Sequence, residues 1–201
     1  MKKLPSKGFN ILELMVTVVV VGILASVAFP MLSSVVRSAR ITSNANNLVA
    51  GLQLARSEAV KRRAIVRVCR TDQANDAVPE CGSGNGWESG WIVYVDTGGD
   101  GAFDDGADTI VRRTDAFEGN RETPTVFVTI VGGGTVADEI AYDPNGFPVV
   151  GNIGAGGSAL VFCDDRQLDA AGRALLISPT GRPNVRPLDE SPFPNLSCST
   201  G

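Results

Sequence analysis

One long apolar segment near the N-terminus constrains the fold of this 201-residue chain more than any other feature. From residue 9 to residue 29 nearly every side chain is apolar, and about 20 such residues match the length of a membrane-spanning helix. A single carboxylate, Glu13, interrupts this segment, and an acidic side chain at membrane depth is costly unless it has a partner and a function. The segment therefore predicts a helix in an apolar environment, with Glu13 as a candidate functional residue.

The lysines near this segment predict its orientation in a membrane. Lys2, Lys3 and Lys7 all precede the apolar residues. Positive charges tend to stay on the cytoplasmic side, so the chain after Pro30 is expected on the opposite face of a bacterial inner membrane, in the periplasm.

The cysteines agree with an oxidising location. There are four, without any CxxC spacing: Cys69, Cys81, Cys163 and Cys198. An even number in this arrangement favours two disulfides over a metal site. Three pairings are open, and we favour the adjacent one, Cys69 with Cys81 and Cys163 with Cys198, because it closes the shortest loops. Four free thiols in a reducing compartment are the alternative.

An ordinary secretory signal has a short apolar core followed by a small-x-small cleavage site, whereas this leader ends in a glycine directly before the apolar residues. The stretch GFNILE, residues 8–13, resembles the type IV prepilin signature. This resemblance implies that a dedicated peptidase cuts between Gly8 and Phe9 and methylates the new N-terminus at Phe9. It also implies that Glu13 pairs with the N-terminal ammonium of a neighbouring subunit in a filament. A glutamate that reaches the membrane surface from the end of a spanning helix is the alternative.

A second helical pattern follows the apolar segment. Apolar residues recur at steps of three and four and predict an amphipathic helix that ends near Lys61: Ile41, Ala45, Leu48, Leu52, Ala55 and Ala59. The helix ends in Lys61, Arg62 and Arg63, whose charges complement the helix dipole. A basic patch for an acidic partner is the alternative interpretation of these three cations.

Beyond Arg63 the period becomes that of β-strands. The predicted strands are AIVRVC, GWIVYVD, DTIVRR, TVFVTIV, FPVV, SALVFCD and RALLISP. We therefore expect an α+β fold in which one long N-terminal helix packs on an antiparallel β-domain. The expected divisions are a leader at 1–8, a transmembrane or filament-core helix at 9–30, an amphipathic helix at 31–63 and a periplasmic β-domain at 64–201.

Three further stretches resemble the GspH/FimT family of minor pilins and pseudopilins. They are LQLARSEAVKRR (52–63), GWESGWIVYVD (86–96) and ALLISPTGRPNVR (174–186). The resemblance extends over nearly the whole chain, from the prepilin signature to the last of these stretches, and the form is most similar to minor pilins of the FimU/FimT type. The resemblance implies a type IV pilin-like fold and a role in starting pilus assembly within a tip complex. Its implied partners are other minor and major pilins, prepilin peptidase and the inner-membrane assembly machinery, with final placement in the pilus at the cell surface.

Catalytic chemistry finds little support in the sequence. The chain has no histidine, so histidine-based catalysis and most zinc sites lack a residue, and we expect neither an enzyme nor a cofactor. The loop DTGGDGAFDDGADT, 96–109, offers Asp96, Asp100 and Asp104 as a weak calcium candidate. It fits the calcium-loop template poorly, and a solvated hairpin loop is the preferred interpretation.

Two functional alternatives remain open beside pilus assembly. Some FimT proteins capture DNA through a Gly-Arg-x-Arg motif, and GRPNVR places Arg182 and Arg186 in a similar position. Arginine binds phosphate well, but the formal charge of −4 opposes attraction of a polyanion. We therefore favour a turn whose arginines bind nearby carboxylates. The second alternative is a minor pseudopilin of type II secretion.

Overall fold

The structure is a computed structural model that describes residues 10–84, 86–117, 127–132, 138–149, 153, 156–191 and 196–198; at 27, 30, 31 and 127–132 it describes the backbone only. The Gly8–Phe9 junction lies outside the described residues. The chain divides into two compact units, Met1–Arg37 and Ser38–Gly201.

The first helix, α1, comprises Ile11–Arg62 and so contributes to both units. Asn10 caps its beginning, because the Asn10 Oδ1 atom accepts a hydrogen bond from the Leu12 N–H at 3.4 Å. Its end is closed by Arg63, whose φ of 55° turns the chain and lets the Ala64 N–H donate to the Ala59 carbonyl at 3.3 Å. Among the described residues, none of the helices combines the length and apolar character that a membrane crossing needs.

The second unit contains two four-stranded antiparallel sheets. The strands are β1 (Ile65–Arg70), β2 (Gly90–Asp96), β3 (Thr109–Asp115), β4 (Phe127–Gly132), β5 (Glu139–Tyr142), β6 (Ser158–Cys163), β7 (Arg173–Ile177) and β8 (Pro183–Pro187). The first sheet has the order β3-β2-β1-β5, and the second has the order β4-β6-β7-β8. A long helix with antiparallel sheets is the α+β arrangement that the two sequence periods predicted.

The main core of the second unit lies between α1 and both sheets. All six predicted helix positions are fully buried: Ile41, Ala45, Leu48, Leu52, Ala55 and Ala59. They pack with Trp87 and Trp91, and with residues of both sheets such as Tyr142 and Phe162. Burial of this apolar face stabilises α1 and explains why these residues form a helix.

A disulfide supports a smaller apolar cluster on each sheet. Cys69 pairs with Cys81 beside Ile92 and Tyr94. Cys163 pairs with Cys198 beside Val161, Ala174 and Leu188, which ties the C-terminal segment to β6. Both pairs are the adjacent ones that the sequence analysis favoured.

Two differences from the predicted strands have physical explanations. The predicted strand FPVV is wrong over its described residues, 147–149, where only one isolated bridge joins Pro148 to Tyr142. Proline lacks the N–H that a strand ladder needs. The sequence analysis also missed β5 and β8, because β5 has only four residues and β8 carries proline at both ends. Each lies at the edge of its sheet, where short or proline-containing strands are tolerated.

Candidate functional site

Glu13 lies in the first turn of α1 and is exposed. Its backbone N–H donates to the Asn10 carbonyl at 3.0 Å, and its carboxylate has no ion pair among the described residues. A carboxylate in a first turn also favours the positive end of the helix dipole, by roughly 0.3–1 kcal/mol. The geometry therefore leaves Glu13 available to a cation from outside the described chain.

The first unit exposes almost every apolar side chain that the structure describes there. The large ones are Ile11, Leu12, Leu14, Met15, Val16, Val18, Val19, Val20, Val21, Ile23, Leu24, Phe29, Leu32, Val35 and Val36. Ile11 is 76% exposed and Phe29 is 73% exposed. A soluble protein rarely leaves so large an apolar surface uncovered, so this part of α1 requires lipid or protein around it.

The basic end of α1 differs from the predicted cluster of three equivalent cations. Lys61 Nζ lies 3.1 Å and Arg62 Nε lies 2.6 Å from the carboxylate oxygens of Glu58. Hydrogen bonds from Arg62 first, and then from Lys61, lower the pKa of Glu58. Arg63 is exposed, and no carboxylate pairs with it in the described part of the chain. Arg63 is therefore the one cation of the three without a carboxylate partner in the described part of the chain.

The calcium candidate is not supported, because Asp96 is committed to the protein itself. Arg67 Nε donates to Asp96 Oδ2 at 2.6 Å, and the Gly99 and Gly101 N–H groups also donate to its carboxylate. The nearby Asp100 carboxylate raises the pKa of Asp104. In the residues that the structure describes, no group of three or more potential ligands could hold a metal ion.

A buried ion-pair network holds the loop 96–109 in place at its beginning. Arg67 is 7% exposed and bridges Asp96 to Glu139, whose Oε1 lies 2.7 Å from Arg67 Nη1. The Tyr94 hydroxyl donates to the Gly101 carbonyl at 3.2 Å, and burial raises the pKa of Tyr94. No sequence pattern predicts this network, because its members lie far apart along the chain and become neighbours only through strand pairing.

Arg182 and Arg186 are both exposed, at the start and near the end of the edge strand β8. Neither guanidinium has a carboxylate partner among the described residues, and the interpretation of a turn with internally paired arginines stays a prediction. Side chains two residues apart along a strand lie on the same face. Arg182, Asn184 and Arg186 have this spacing, and all three are exposed. The arrangement leaves two cations on one face of β8.

A long N-terminal helix with an exposed apolar half, packed further along on antiparallel sheets, defines a protein of the type IV pilin-like class. The sequence profile described as "Type II transport protein GspH" matches residues 44–181. The chain therefore belongs to the GspH family, the GspH/FimT group of minor pilins and pseudopilins.

Comparison with solved structures agrees with the fold. The chain is similar to two crystal structures of the type IV minor pilin FimU of Pseudomonas aeruginosa, with 21% sequence identity to each. One has a TM-score of 0.52 and covers 79% of this chain and 94% of FimU; the other has a TM-score of 0.51 and covers 78% and 98%. A comparison with curated proteins finds no match. The family is structural and non-enzymatic, is associated with the cell envelope, and works with other pilins and their assembly machinery.

Proposed function

We propose that this protein is a minor pilin that helps to initiate type IV pilus assembly, within a small complex at the pilus tip. The main support is the first turn of α1, where the exposed Glu13 lies among exposed apolar side chains in a member of the GspH family. Prepilin peptidase cuts between Gly8 and Phe9 in this proposal, and Phe9 is methylated. The Phe9 ammonium then pairs with Glu13 of an adjacent subunit.

The apolar segment has two environments in turn under this proposal. Residues 9–30 lie in the inner membrane before assembly, while residues 64–201 lie in the periplasm. After extraction the same side chains contact the helices of neighbouring minor and major pilins. The large exposed apolar surface of α1 supports both steps, because either lipid or packed helices would cover it.

The charge pairing is tested by following the protein into sheared pili. We expect Glu13→Ala to reduce its amount in the pilus fraction at least tenfold while its amount in the membrane fraction stays unchanged. Glu13→Asp keeps both the charge and the favourable helix-dipole interaction, and should retain part of the incorporation. Equal incorporation of Glu13→Ala and the parent protein would remove the charge-pairing role.

A second candidate function is DNA capture through Arg182 and Arg186. Its support is that both guanidiniums are exposed on one face of β8 without a carboxylate partner among the described residues. We expect the double variant Arg182→Ala/Arg186→Ala to weaken retardation of a DNA duplex in a gel, with a smaller salt dependence. Unchanged retardation would exclude these residues from DNA binding.

A third candidate function is that of a minor pseudopilin of type II secretion, and its support is the name of the matching profile. Its assembly chemistry would use the same Glu13 and the same apolar helix. The two assignments differ in the filament that is lost with the protein, so counting surface pili separates them.

A further inference from the structure

Most arginines of the second unit are already bound to other groups of the protein. These are Arg62 with Glu58, Arg67 with Asp96 and Glu139, Arg70 with Asp138, Arg166 with Asp164, Arg112 with Asn47 and Trp91, and Arg113 and Arg173 with backbone carbonyls. Arg56 and Arg63, which lie seven residues apart near the end of α1, have no carboxylate partner among the described residues. Two unpaired cations therefore remain in one small region.

An apolar side chain lies beside Arg56. Val60 follows Arg56 by four residues on α1, so these two side chains lie along one side of its last turns, and Arg63 comes directly after the helix ends. Val60 is 51% exposed. The turn that contains Gly146 packs against it, since a Cβ at Gly146 would lie 3.0 Å from Val60 Cγ2 and 3.3 Å from Arg56 Nε. The next residue, Phe147, is also 51% exposed.

We call the region formed by Arg56, Val60, Arg63 and Phe147 the helix-end surface. Two nearby acids, Glu58 and Asp143, are outnumbered by Arg56, Arg63 and the neighbouring Lys61 and Arg62. Glu58 is already paired with Lys61 and Arg62. Asp143 Oδ1 accepts the N–H groups of Asn145 and Phe147, each at 2.9 Å. The helix-end surface is therefore a positive, partly apolar area on an acidic protein.

The backbone at Arg63 is a second, independent observation. Its φ of 55° lies in the left-handed region, at the helix-closing position that glycine usually occupies. An arginine here has a conformational cost, and residues held in such conformations are enriched at functional positions. No intramolecular ion pair in the described chain compensates the cost at Arg63.

We propose that the helix-end surface binds a carboxylate-bearing segment of a neighbouring pilin subunit, with an apolar side chain between Val60 and Phe147 and the carboxylates at Arg56 and Arg63. This inference rests on the proposed function, which supplies the neighbouring subunit. Phosphate would need only the cations, whereas an apolar centre flanked by arginine is the composition of a protein interface. Charge complementarity then selects an acidic segment over a basic one.

Photo-crosslinking of the full-length protein in piliated cells tests this inference. Benzoylphenylalanine replaces Phe147, and in a control protein it replaces Leu168, which is 53% exposed but lies in the loop between β6 and β7. We expect irradiation to link position 147 to another pilin, within a peptide that contains Asp or Glu. Position 168 should not produce this product.

Two charge reversals complete the experiment. Arg63→Glu should lower the yield of the product at least fivefold, whereas Arg186→Glu reverses an equally exposed and unpaired arginine outside the surface and should leave it unchanged. Equal yields in both variants, no pilin product, or crosslinks only to lipid or nucleic acid would overturn the inference. If the protein is present in sheared pili yet gives no such product, the inference fails and the assembly role stands. Absence of the protein from pili would reject both.

Discussion

Among single residues, Gly51 of α1 lies directly against the indole of Trp91 in the first sheet. A Cβ at Gly51 would lie 2.6 Å from Trp91 Cζ3, and both residues are buried. Arg112 covers the indole ring at 5.1 Å from its centroid and donates to Asn47 on the same helix. A glycine within a helix normally costs about 1 kcal/mol relative to alanine. Here it permits the close approach of the indole to the helix.

We predict that Gly51→Ala lowers the free energy of unfolding by about 1–3 kcal/mol, although alanine favours the helix. Urea unfolding of the purified full chain measures the effect. In a Trp91→Leu background the added methyl has space, so Gly51→Ala should become neutral or stabilising. An equal loss in both backgrounds would show that the indole contact is not the cause.

Glu58 gives a pH-dependent prediction at the same level. The hydrogen bonds from Arg62 and Lys61 lower its folded pKa below the ordinary value of 4.5, so the ionised carboxylate is favoured in the folded state. Its contribution to stability is therefore present above about pH 4.5 and is lost as the pH falls through the lower, folded pKa.

Unfolding measurements across this range test the sign. Glu58→Gln should be less stable than the parent protein near neutral pH, and the difference should shrink as the pH falls through the lowered, folded pKa of Glu58. Asp189→Asn removes an exposed carboxylate that has no ion pair among the described residues, and serves as the control. A difference for Glu58→Gln that grows toward acid pH would contradict the assignment.

Among the helices and strands, the regular ones could be predicted and the short edge strands could not. The six apolar positions from Ile41 to Ala59 repeat at helical spacing, and burial of that face decides the helix. The strands β5 and β8 form because their neighbours, β1 and β7, offer them hydrogen bonds, and a local sequence pattern does not contain that contribution. At the candidate site, the i,i+3 and i,i+4 spacing of Lys61 and Arg62 from Glu58 could have predicted their pairing. The pairing of Arg67 with Asp96 and Glu139 could not be predicted, because only strand pairing brings these residues together.

The two prolines of β8 affect how this edge strand meets other chains. The Ser178 N–H donates to the Arg182 carbonyl, and the Leu188 N–H donates to the Gly172 carbonyl. In an antiparallel pair the hydrogen-bonded positions alternate, so the backbone groups of Pro183, Val185 and Pro187 face away from β7. Two of these three outward positions lack an N–H, which weakens the edge as a template for another strand.

We predict that Pro183→Thr/Pro187→Thr, which restores both outward donors, increases self-association of the purified full chain. Sedimentation velocity at several protein concentrations measures the change. Pro179→Thr, which alters a proline outside β8, is the matched control and should behave like the parent protein. Identical sedimentation of the double variant and the control would show that the prolines do not protect this edge.

At the level of the whole molecule, the two units have different requirements. The second unit has its own core between α1 and two sheets, with a disulfide beside each of two smaller clusters. The first unit leaves its described apolar side chains exposed and needs lipid or other subunits to cover them. This combination is what a filament subunit requires, since one unit can remain folded while the surroundings of the other change.

The most direct test of the assembly role is a count of surface pili by electron microscopy. The strains compared are the parent, a strain that lacks this protein, and the same strain with the gene restored. We predict that pili are lost in the deletion strain and return on complementation with the parent protein, but not with Glu13→Ala. A normal number of pili in the deletion strain would contradict the central claim and favour DNA capture or type II secretion.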